Sequence, residues 1–227
     1  MMKYQSRLFA YLTALVFLAL QGISTAWAST TPASSPKEVV ETTTRDLLNT
    51  FQKNIASYQK DPDSFISVVD KELSPIVSFN SIARGVMGKY AHRSKPEQIQ
   101  QFSGVFKHSL ISFYGKALLK LDDHSLTIEK VDDVPQRTLS NYSAGKIRLI
   151  PVNMQVKTSK RTVAISYSME KVNGQWKMRN VIVDGINIGK QFRNQFADAM
   201  EKHGKVQYVI DHWQEIMKGN NKEKKAS

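Results

Sequence analysis

Histidines and paired acids are the residues whose types could support catalysis or metal binding in this chain. The five histidines are His92, His108, His124, His203 and His212. None belongs to an H-E-x-x-H motif, and without cysteine a metal site would need ligands from distant segments. Adjacent acids such as Asp122-Asp123 and Asp132-Asp133 are typical of turns, and no G-x-S-x-G, G-x-G-x-x-G or P-loop motif occurs. The sequence predicts no catalytic residue, no metal site and no cofactor.

Large apolar residues instead alternate with small or hydroxyl residues in one stretch of the second half. The alternating set is Val163, Ile165, Tyr167 and Met169. A period of two places such residues on one face of a β-strand. Asn173-Gly174 favours a two-residue type I′ turn, after which Trp176 and Met178 continue the apolar face on a second strand. The run Val181–Val183 is apolar on both faces, which indicates a bulge or a strand end covered on both sides.

Helical patterns precede and follow these strands. Apolar residues recur at three and four positions from Lys37 to Lys60, after Pro62, from Val77 to His92, from Pro96 to about Leu121, and again after Gly185 and Gly204. Weaker strand patterns lie at Ser125–Val134 and Lys146–Lys157, with a polar loop between them. Segregated helices and strands predict an α+β domain, with a curved antiparallel sheet of about four strands covered by helices. A cone or cleft with an apolar pocket is the natural packing.

Gly85 and Gly88 interrupt a helical pattern only three positions apart. Each glycine in a helix interior costs about 1 kcal/mol relative to alanine. The pair therefore predicts either the close approach of another backbone or a functional break in the helix.

The N-terminus has the pattern of a secretory signal. Lys3 and Arg7 precede an apolar run, and Ala26-Trp27-Ala28 resembles a cleavage site without a lipoprotein cysteine. We predict a cleaved signal peptide at 1–28, with an uncleaved anchor as the alternative, and a periplasmic location in a Gram-negative bacterium. Residues 29–36 are predicted to be a disordered linker, 37–218 a single domain and 219–227 a disordered tail.

The charge of the chain narrows the possible partners. Without Lys3 and Arg7, the remaining 30 basic and 20 acidic residues give a net charge of +10. Such a charge favours anionic lipid surfaces or acidic partners, although an ordinary solvated surface also accounts for it. Export and the scattered positions of the basic residues argue against nucleic acid. A signal peptide, excess positive charge and a concave apolar sheet without catalytic residues together favour a carrier of an amphiphile.

Two segments of the sequence resemble motifs of a known protein family. The first contains Phe79, Ile82-Ala83-Arg84 and Val86–Ala91, and the second runs from Asn180 through Gly185 to Phe196. With Gly174, Trp176 and Lys177 of the hairpin, they are similar to the periplasmic phospholipid-binding proteins of the maintenance-of-lipid-asymmetry pathway, also called the toluene-tolerance family. The sequence departs from that pattern at Ala91, Asn180, Asn187 and Phe192.

The resemblance implies a fold like the cones of nuclear-transport-factor-like proteins and a function in lipid transport. The protein would be a soluble monomer that carries phospholipid as cargo, not as a cofactor. It would pass lipid between an outer-membrane lipoprotein–porin complex and an inner-membrane ABC transporter, and so maintain outer-membrane lipid asymmetry.

For a lipid carrier, the apolar side chains of the sheet and helices are the expected tail contacts. They are Val86, Met87, Tyr90, Phe106, Leu110, Phe113 and Tyr114 from the helices, and Val163, Ile165, Tyr167, Met169, Trp176 and Met178 from the sheet. Arg84 and Arg193 are candidates for the mouth, where a cation suits a phosphate; structural salt bridges are the alternative for both.

Two other functions are compatible with the sequence. An enzyme would need a carboxylate inside the cone, and Asp184 or Asp132 would be the candidate. A ligand-free adaptor would use the basic surface to dock an acidic partner, and its core would be filled. A filled core without a cavity would favour the adaptor over the carrier, and the enzyme would be excluded if both acids were exposed to solvent.

Overall fold

Four α-helices and a 3₁₀ helix precede the sheet in this computed structural model, which describes residues 35–119 and 126–218. They are α1 (Pro36–Lys60), α2 (Pro62–Leu73), α3 (Phe79–Met87), the 3₁₀ helix Gly88–Arg93 and α4 (Pro96–Leu119). The predicted signal peptide, the tail and most of the linker lie outside the described residues. The linker was predicted to extend to residue 36, but the helix α1 already starts at Pro36. Its first turn is capped by a capping box between Ser35 and Glu38.

The sheet has five antiparallel strands in sequential order, and it does not close on itself. They are β1 (Thr127–Val131), β2 (Ile150–Lys157), β3 (Thr162–Val172), β4 (Gln175–Val183) and the short β5 (Ile186–Asn187). The predicted α+β class is confirmed, with one short strand more than expected. Part of the predicted polar loop between β1 and β2 is instead a helix, α5 (Gln136–Ser143). After β5 come α6 (Ile188–His203), α7 (Val206–Asp211) and a last helix α8 at 213–218.

The central hairpin has the predicted turn, and β4 contains a bulge, one of the two alternatives that the sequence left open. Asn173 and Gly174 have φ angles of 49° and 80°, as a type I′ turn requires. Between β3 and β4 the register shifts, so that Arg179 is an extra residue. Because of this bulge, Met178 and Val181 both pair with apolar residues of β3, and the apolar face continues along β4.

Three apolar clusters hold the domain together. The first covers β2 and β3, where α1 and α5 pack over buried residues such as Val152 and Met154. The second joins α3, α4, α6, α7 and α8 around Trp213, whose ring lies 5.1 Å edge-on from that of Phe102. The third, smaller cluster joins α1 and α2 to the end of α4 through residues such as Phe65.

The break at Gly88 has a clear structural cause. Gly88 ends α3 with φ 55° and ψ −126°, a conformation that side chains with a Cβ rarely adopt. Arg193 of α6 crosses the break: its Nε donates a 2.7 Å hydrogen bond to the carbonyl of Gly85, and its Cδ lies 3.7 Å from the position of a Gly88 Cβ. The predicted close approach is therefore made by an arginine side chain and not by another backbone.

Two glycine-to-alanine substitutions should have opposite effects on stability. Gly88→Ala should lower the free energy of unfolding by about 1–3 kcal/mol, because the backbone there is strained for alanine. Gly104→Ala is the control: it lies inside α4 with open space at the Cβ position, and it should raise the free energy by about 0.5–1 kcal/mol. Urea unfolding at pH 7 measures both. An unchanged midpoint for Gly88→Ala would contradict this account.

Candidate ligand-binding cavity

An apolar cavity of about 410 Å³ lies between the helices and β4. This volume is within the range of small-molecule binding sites in proteins. Its walls come from α2, α3, α4, β4 and the start of α6. The lining residues are Phe65, Val69, Leu73, Val77, Phe79, Ile82, Phe106, Leu110, Ile111, Tyr114, Gly115, Leu118, Met178, Arg179, Asn180, Val181, Val183, Ile188, Gly189 and Phe192.

Helical spacing and the bulge explain why these side chains share one cavity. Phe65, Val69 and Leu73 follow one another at intervals of four residues and so lie along one side of α2. On the sheet, the bulge lets Met178 and Val181 belong to the same apolar face. The part of this face on β2 and β3 is covered by α1, whereas the part on β4 borders the cavity.

Polar groups are few in the wall, and two of the three are already hydrogen-bonded within the protein. Asn180 accepts a 3.0 Å hydrogen bond from the backbone N–H of Gly189 and donates a 3.1 Å bond to Asn187, which fixes the start of α6. Arg179 donates a 2.8 Å hydrogen bond from Nη1 to Glu170. Tyr114 is 48% exposed, so it lies at the mouth, and desolvation raises the pKa of its phenol. The wall suits an apolar molecule with a polar end.

The structure brings four of the thirteen predicted tail contacts to the cavity wall: Phe106, Leu110, Tyr114 and Met178. Val86, Met87, Tyr90 and Phe113 lie instead in the helical cluster around Trp213. Val163, Ile165, Tyr167, Met169 and Trp176 lie outside the wall, on the sheet face that α1 and α5 cover. As lipid contacts, all thirteen residues remain predictions.

The helix α2 and the end of β4 supply wall residues that the sequence analysis did not assign to the site. Phe65, Val69 and Leu73 have a clear apolar spacing, but spacing alone does not say whether a helix faces a filled core or a cavity. For Val181 and Val183, the only indication in the sequence was that the run Val181–Val183 is apolar on both faces of the strand.

The predicted arginines of the mouth do not line the cavity. Arg84 is exposed on α3. Arg193 binds the Gly85 carbonyl, a structural contact with the backbone instead of the salt bridge considered as its alternative. Whether either residue touches a head group remains a prediction.

The two acids proposed for an enzyme also lie outside the cavity wall. Asp184 accepts hydrogen bonds from the backbone N–H of Ala164 at 3.0 Å and from Arg161 at 2.6 Å, and these bonds lower its pKa. Asp132 pairs with Lys130 at 2.8 Å. Within 35–119 and 126–218, no group of three histidine or acidic residues is placed to bind a metal, and no helix is long and apolar enough to cross a membrane.

The helix α2 is attached by one fully buried residue and by ion pairs to α4. Phe65 is the one residue that α2 buries fully, among the described residues. Across a polar groove, Asp70 pairs with Lys107 of α4 at 2.7 Å, and Asp63 pairs with Lys116 at 3.6 Å. Exposed ion pairs of this kind contribute at most about 1 kcal/mol each. The ion pairs therefore add little to the attachment of α2, which rests mainly on the apolar contacts of Phe65.

A helical domain that leaves an apolar cavity beside an antiparallel sheet, without a catalytic group in its wall, defines a ligand-binding protein of the α+β class. The family model described as "MlaC protein" matches residues 41–215. The chain belongs to this family, which confirms the resemblance seen in the sequence.

Two known proteins are similar over most of the chain. The toluene tolerance protein ttg2D of Pseudomonas putida is 38% identical over 189 residues, which cover 81% of this chain and 82% of that protein. A phospholipid-binding protein from Ralstonia solanacearum, solved in complex with a phospholipid, has a TM-score of 0.62 and 24% identity, and the match covers 81% of this chain and 97% of that one. The second likeness shows that the two chains share a fold.

The ion pair between α2 and α4 should be visible in the titration of Asp70. Burial alone would raise the pKa of this carboxyl, but hydrogen bonds from Lys107 and Ser74 hold it below the ordinary value of 3.8. Lys107→Met should therefore raise the pKa of Asp70, as measured by carbon-13 NMR of the carboxyl group. An unchanged pKa would contradict the role of Lys107.

Because the pKa of Asp70 is lowered in the folded state, its stabilising effect is present above the unfolded pKa and lost as the pH falls through the folded pKa. Asp70→Asn should lower the free energy of unfolding at pH 7 by up to about 1 kcal/mol and have little effect in strong acid. The control is Asp198→Asn on the exposed side of α6, which should change stability little at either pH.

Proposed function

We propose that this protein is a periplasmic phospholipid carrier whose cavity holds acyl chains. The observation that carries the proposal is the apolar cavity of about 410 Å³ between α2, α4 and β4. Membership of the MlaC family supports it, as does the phospholipid in the structural relative from Ralstonia solanacearum. We place the protein in the periplasm because its N-terminus has the pattern of a signal peptide.

The energetics of acyl chains explain why such a carrier needs a dry cavity. Two chains hold about 30 methylene groups, and their exposure to water would cost on the order of 24 kcal/mol at about 0.8 kcal/mol each. A carrier must match the affinity of the bilayer to within a few kcal/mol, because tighter binding would prevent unloading. Apolar walls with few polar contacts meet both requirements.

The carrier would act as a monomer between two membrane complexes. We propose that it receives and delivers phospholipid at an outer-membrane lipoprotein–porin complex and at an inner-membrane ABC transporter. The net charge of +10 after the predicted signal peptide favours docking to acidic surfaces of such partners.

The two alternative functions have less support. An enzyme would need a carboxylate in the cavity, and Asp184 and Asp132 both lie outside its wall. A ligand-free adaptor would be expected to have a filled core, and the cavity argues against it.

Native mass spectrometry of the purified protein is the direct test of the carrier. Protein that is uniformly free of lipid, and that extracts none from vesicles, would overturn the proposal.

A bulky residue in the cavity wall should reduce lipid loading. Leu110→Trp adds a large side chain to the wall, and bound lipid should fall at least about tenfold, because the indole occupies the space of the tails. Leu149→Trp is the matched control, since Leu149 is exposed and lies outside the wall. Bound lipid is measured by mass spectrometry after purification. Equal loading in both variants would place the lipid elsewhere.

We further propose that lipid enters when α2 moves away from α4. An engineered disulfide between α2 and α4 can test this. The position of a Gly115 Cβ lies 3.7 Å from Cγ1 of Ile66, which is close enough for a disulfide after small shifts. The chain has no other cysteine to interfere. Oxidised Ile66→Cys/Gly115→Cys protein should exchange lipid with vesicles at least about tenfold more slowly than the wild type.

Reduction of the disulfide should restore exchange, and the reduced double variant is therefore the matched control. Mass spectrometry confirms that the disulfide has formed. Normal exchange by the fully oxidised protein would show that lipid uses another route.

A further inference from the structure

Two strongly exposed apolar side chains lie at the edge of the cavity. Ile186 and Tyr114 are the most exposed large apolar residues in the part of the chain that the structure describes, at 51% and 48%. Tyr114 belongs to the cavity wall. Ile186 of β5 pairs with Val183 of the wall, and directly paired residues point to the same face of a sheet. The apolar face of β4 therefore continues from the cavity to the protein surface at Ile186.

A tight turn holds Ile186 in this position. Asp184 and Gly185 form the two-residue connection between β4 and β5, and their φ angles of 48° and 79° are those that a type I′ turn requires. The Asp184 carboxylate accepts hydrogen bonds from Arg161 at 2.6 Å and from the N–H of Ala164 at 3.0 Å. These bonds connect the turn to the neighbouring hairpin between β2 and β3, so the two turns form one end of the sheet.

Basic residues outnumber acidic residues at this end of the sheet. Two acids lie there among the described residues: Asp184 pairs with Arg161, and Glu129 accepts a hydrogen bond from Thr162. The first turn of α6, which follows β5, contains no acid. The exposed basic residues are Lys157, Lys160 and Arg161 beside the turn between β2 and β3, and Lys190 in the first turn of α6.

We propose that this end of the sheet docks on a membrane that contains anionic lipid, with Ile186 inserted among the head groups and the lysines against the phosphates. A bilayer surface offers apolar volume beneath a layer of negative charge, which matches an exposed apolar side chain among basic ones. The inference rests on the carrier function proposed above, and it adds direct contact with a bilayer to the exchange at protein complexes. Because Ile186 adjoins Val183, an acyl chain can pass between bilayer and cavity along apolar surface.

The strength of such a contact suits a carrier. Even a single myristoyl chain binds a membrane only marginally and reversibly, and an isoleucine buries far less apolar surface than that chain. The lysines add electrostatic attraction that is screened by salt. The protein would therefore dock briefly and leave again, as a carrier between two membranes must.

Flotation with vesicles tests the contact. The protein is purified from the periplasm of expressing cells, and its intact mass is measured to check that the predicted signal peptide, which would itself bind membranes, is absent. Binding should be at least about fivefold stronger to vesicles of equal parts phosphatidylglycerol and phosphatidylcholine than to phosphatidylcholine alone, and it should weaken as salt is raised. Equal binding to both kinds of vesicle would overturn the proposal.

Paired variants locate the contact on the protein. Ile186→Ser should reduce binding to the phosphatidylglycerol vesicles at least about fivefold, because it removes inserted apolar surface. Leu149→Ser is the matched control, since Leu149 is exposed beside the basic Arg148 but lies near the opposite end of β2 from Lys157, and it should bind like the wild type. Lys160→Gln should also reduce binding about fivefold, whereas Lys146→Gln near Leu149 should not.

A fluorescent label reports insertion directly and covers the case that Ile186→Ser is unstable. The chain contains no cysteine, so a single introduced cysteine can carry a fluorophore that is sensitive to polarity. The emission of labelled Ile186→Cys should shift to the blue on the phosphatidylglycerol vesicles, and that of labelled Leu149→Cys should not. No shift at Ile186→Cys, or an equal shift in both variants, would overturn the proposal.

Lipid loading, measured by mass spectrometry, separates this inference from the carrier function. Protein that carries phospholipid but shows no shift at Ile186→Cys would overturn the membrane contact and leave the carrier intact. Protein that docks through Ile186 but never carries lipid would overturn the carrier and leave the membrane contact.

Discussion

Incomplete covering of the apolar face of the sheet is the constraint on which the rest of this structure depends. On β2 and β3, α1 and α5 fill that face with side chains. On β4 the face continues past the bulge, but α2 and α4 stand far enough from it to leave a cavity. Empty apolar volume is unfavourable, since it forfeits packing contacts. A ligand with apolar chains restores those contacts, which links the architecture directly to the proposed carrier function.

The elements around the cavity differ in how much apolar surface they bury. The aromatic cluster around Trp213 ties α3, α4 and α6 to the C-terminal helices, and the break at Gly88 is held by Arg193. The helix α2 contributes one fully buried residue, and two exposed ion pairs connect it to α4. Elements with few buried contacts open at low cost, which is a common property of parts of proteins that admit ligands.

Charged groups are kept away from most of the cavity wall. The arginines and acids suggested by the sequence make contacts elsewhere or lie exposed, as Asp184 does with Arg161. Asn180, which replaces an aspartate of the family pattern, uses its amide to fix the start of α6. Arg179 borders the cavity, but its guanidinium pairs with Glu170, which is not among the lining residues.

The sequence alone determined the local structure and the family of this protein, because both depend on residues close together in the chain. Alternation in β3 and the Asn173-Gly174 turn predicted the hairpin, and the apolar run Val181–Val183 indicated either a bulge or a strand end covered on both sides. The helix α5 was missed, because its residues are mostly polar and a short polar helix has no apolar stripe to reveal it.

Only the tertiary structure decided which apolar residues face the cavity. Tyr167 and Met178 have the same pattern in the sequence, yet α1 covers the first and the second lines the cavity. Periodicity reports the face of a strand or helix but not whether that face is filled. The difference depends on the distance between helices that are remote in the chain, and no local pattern encodes that distance.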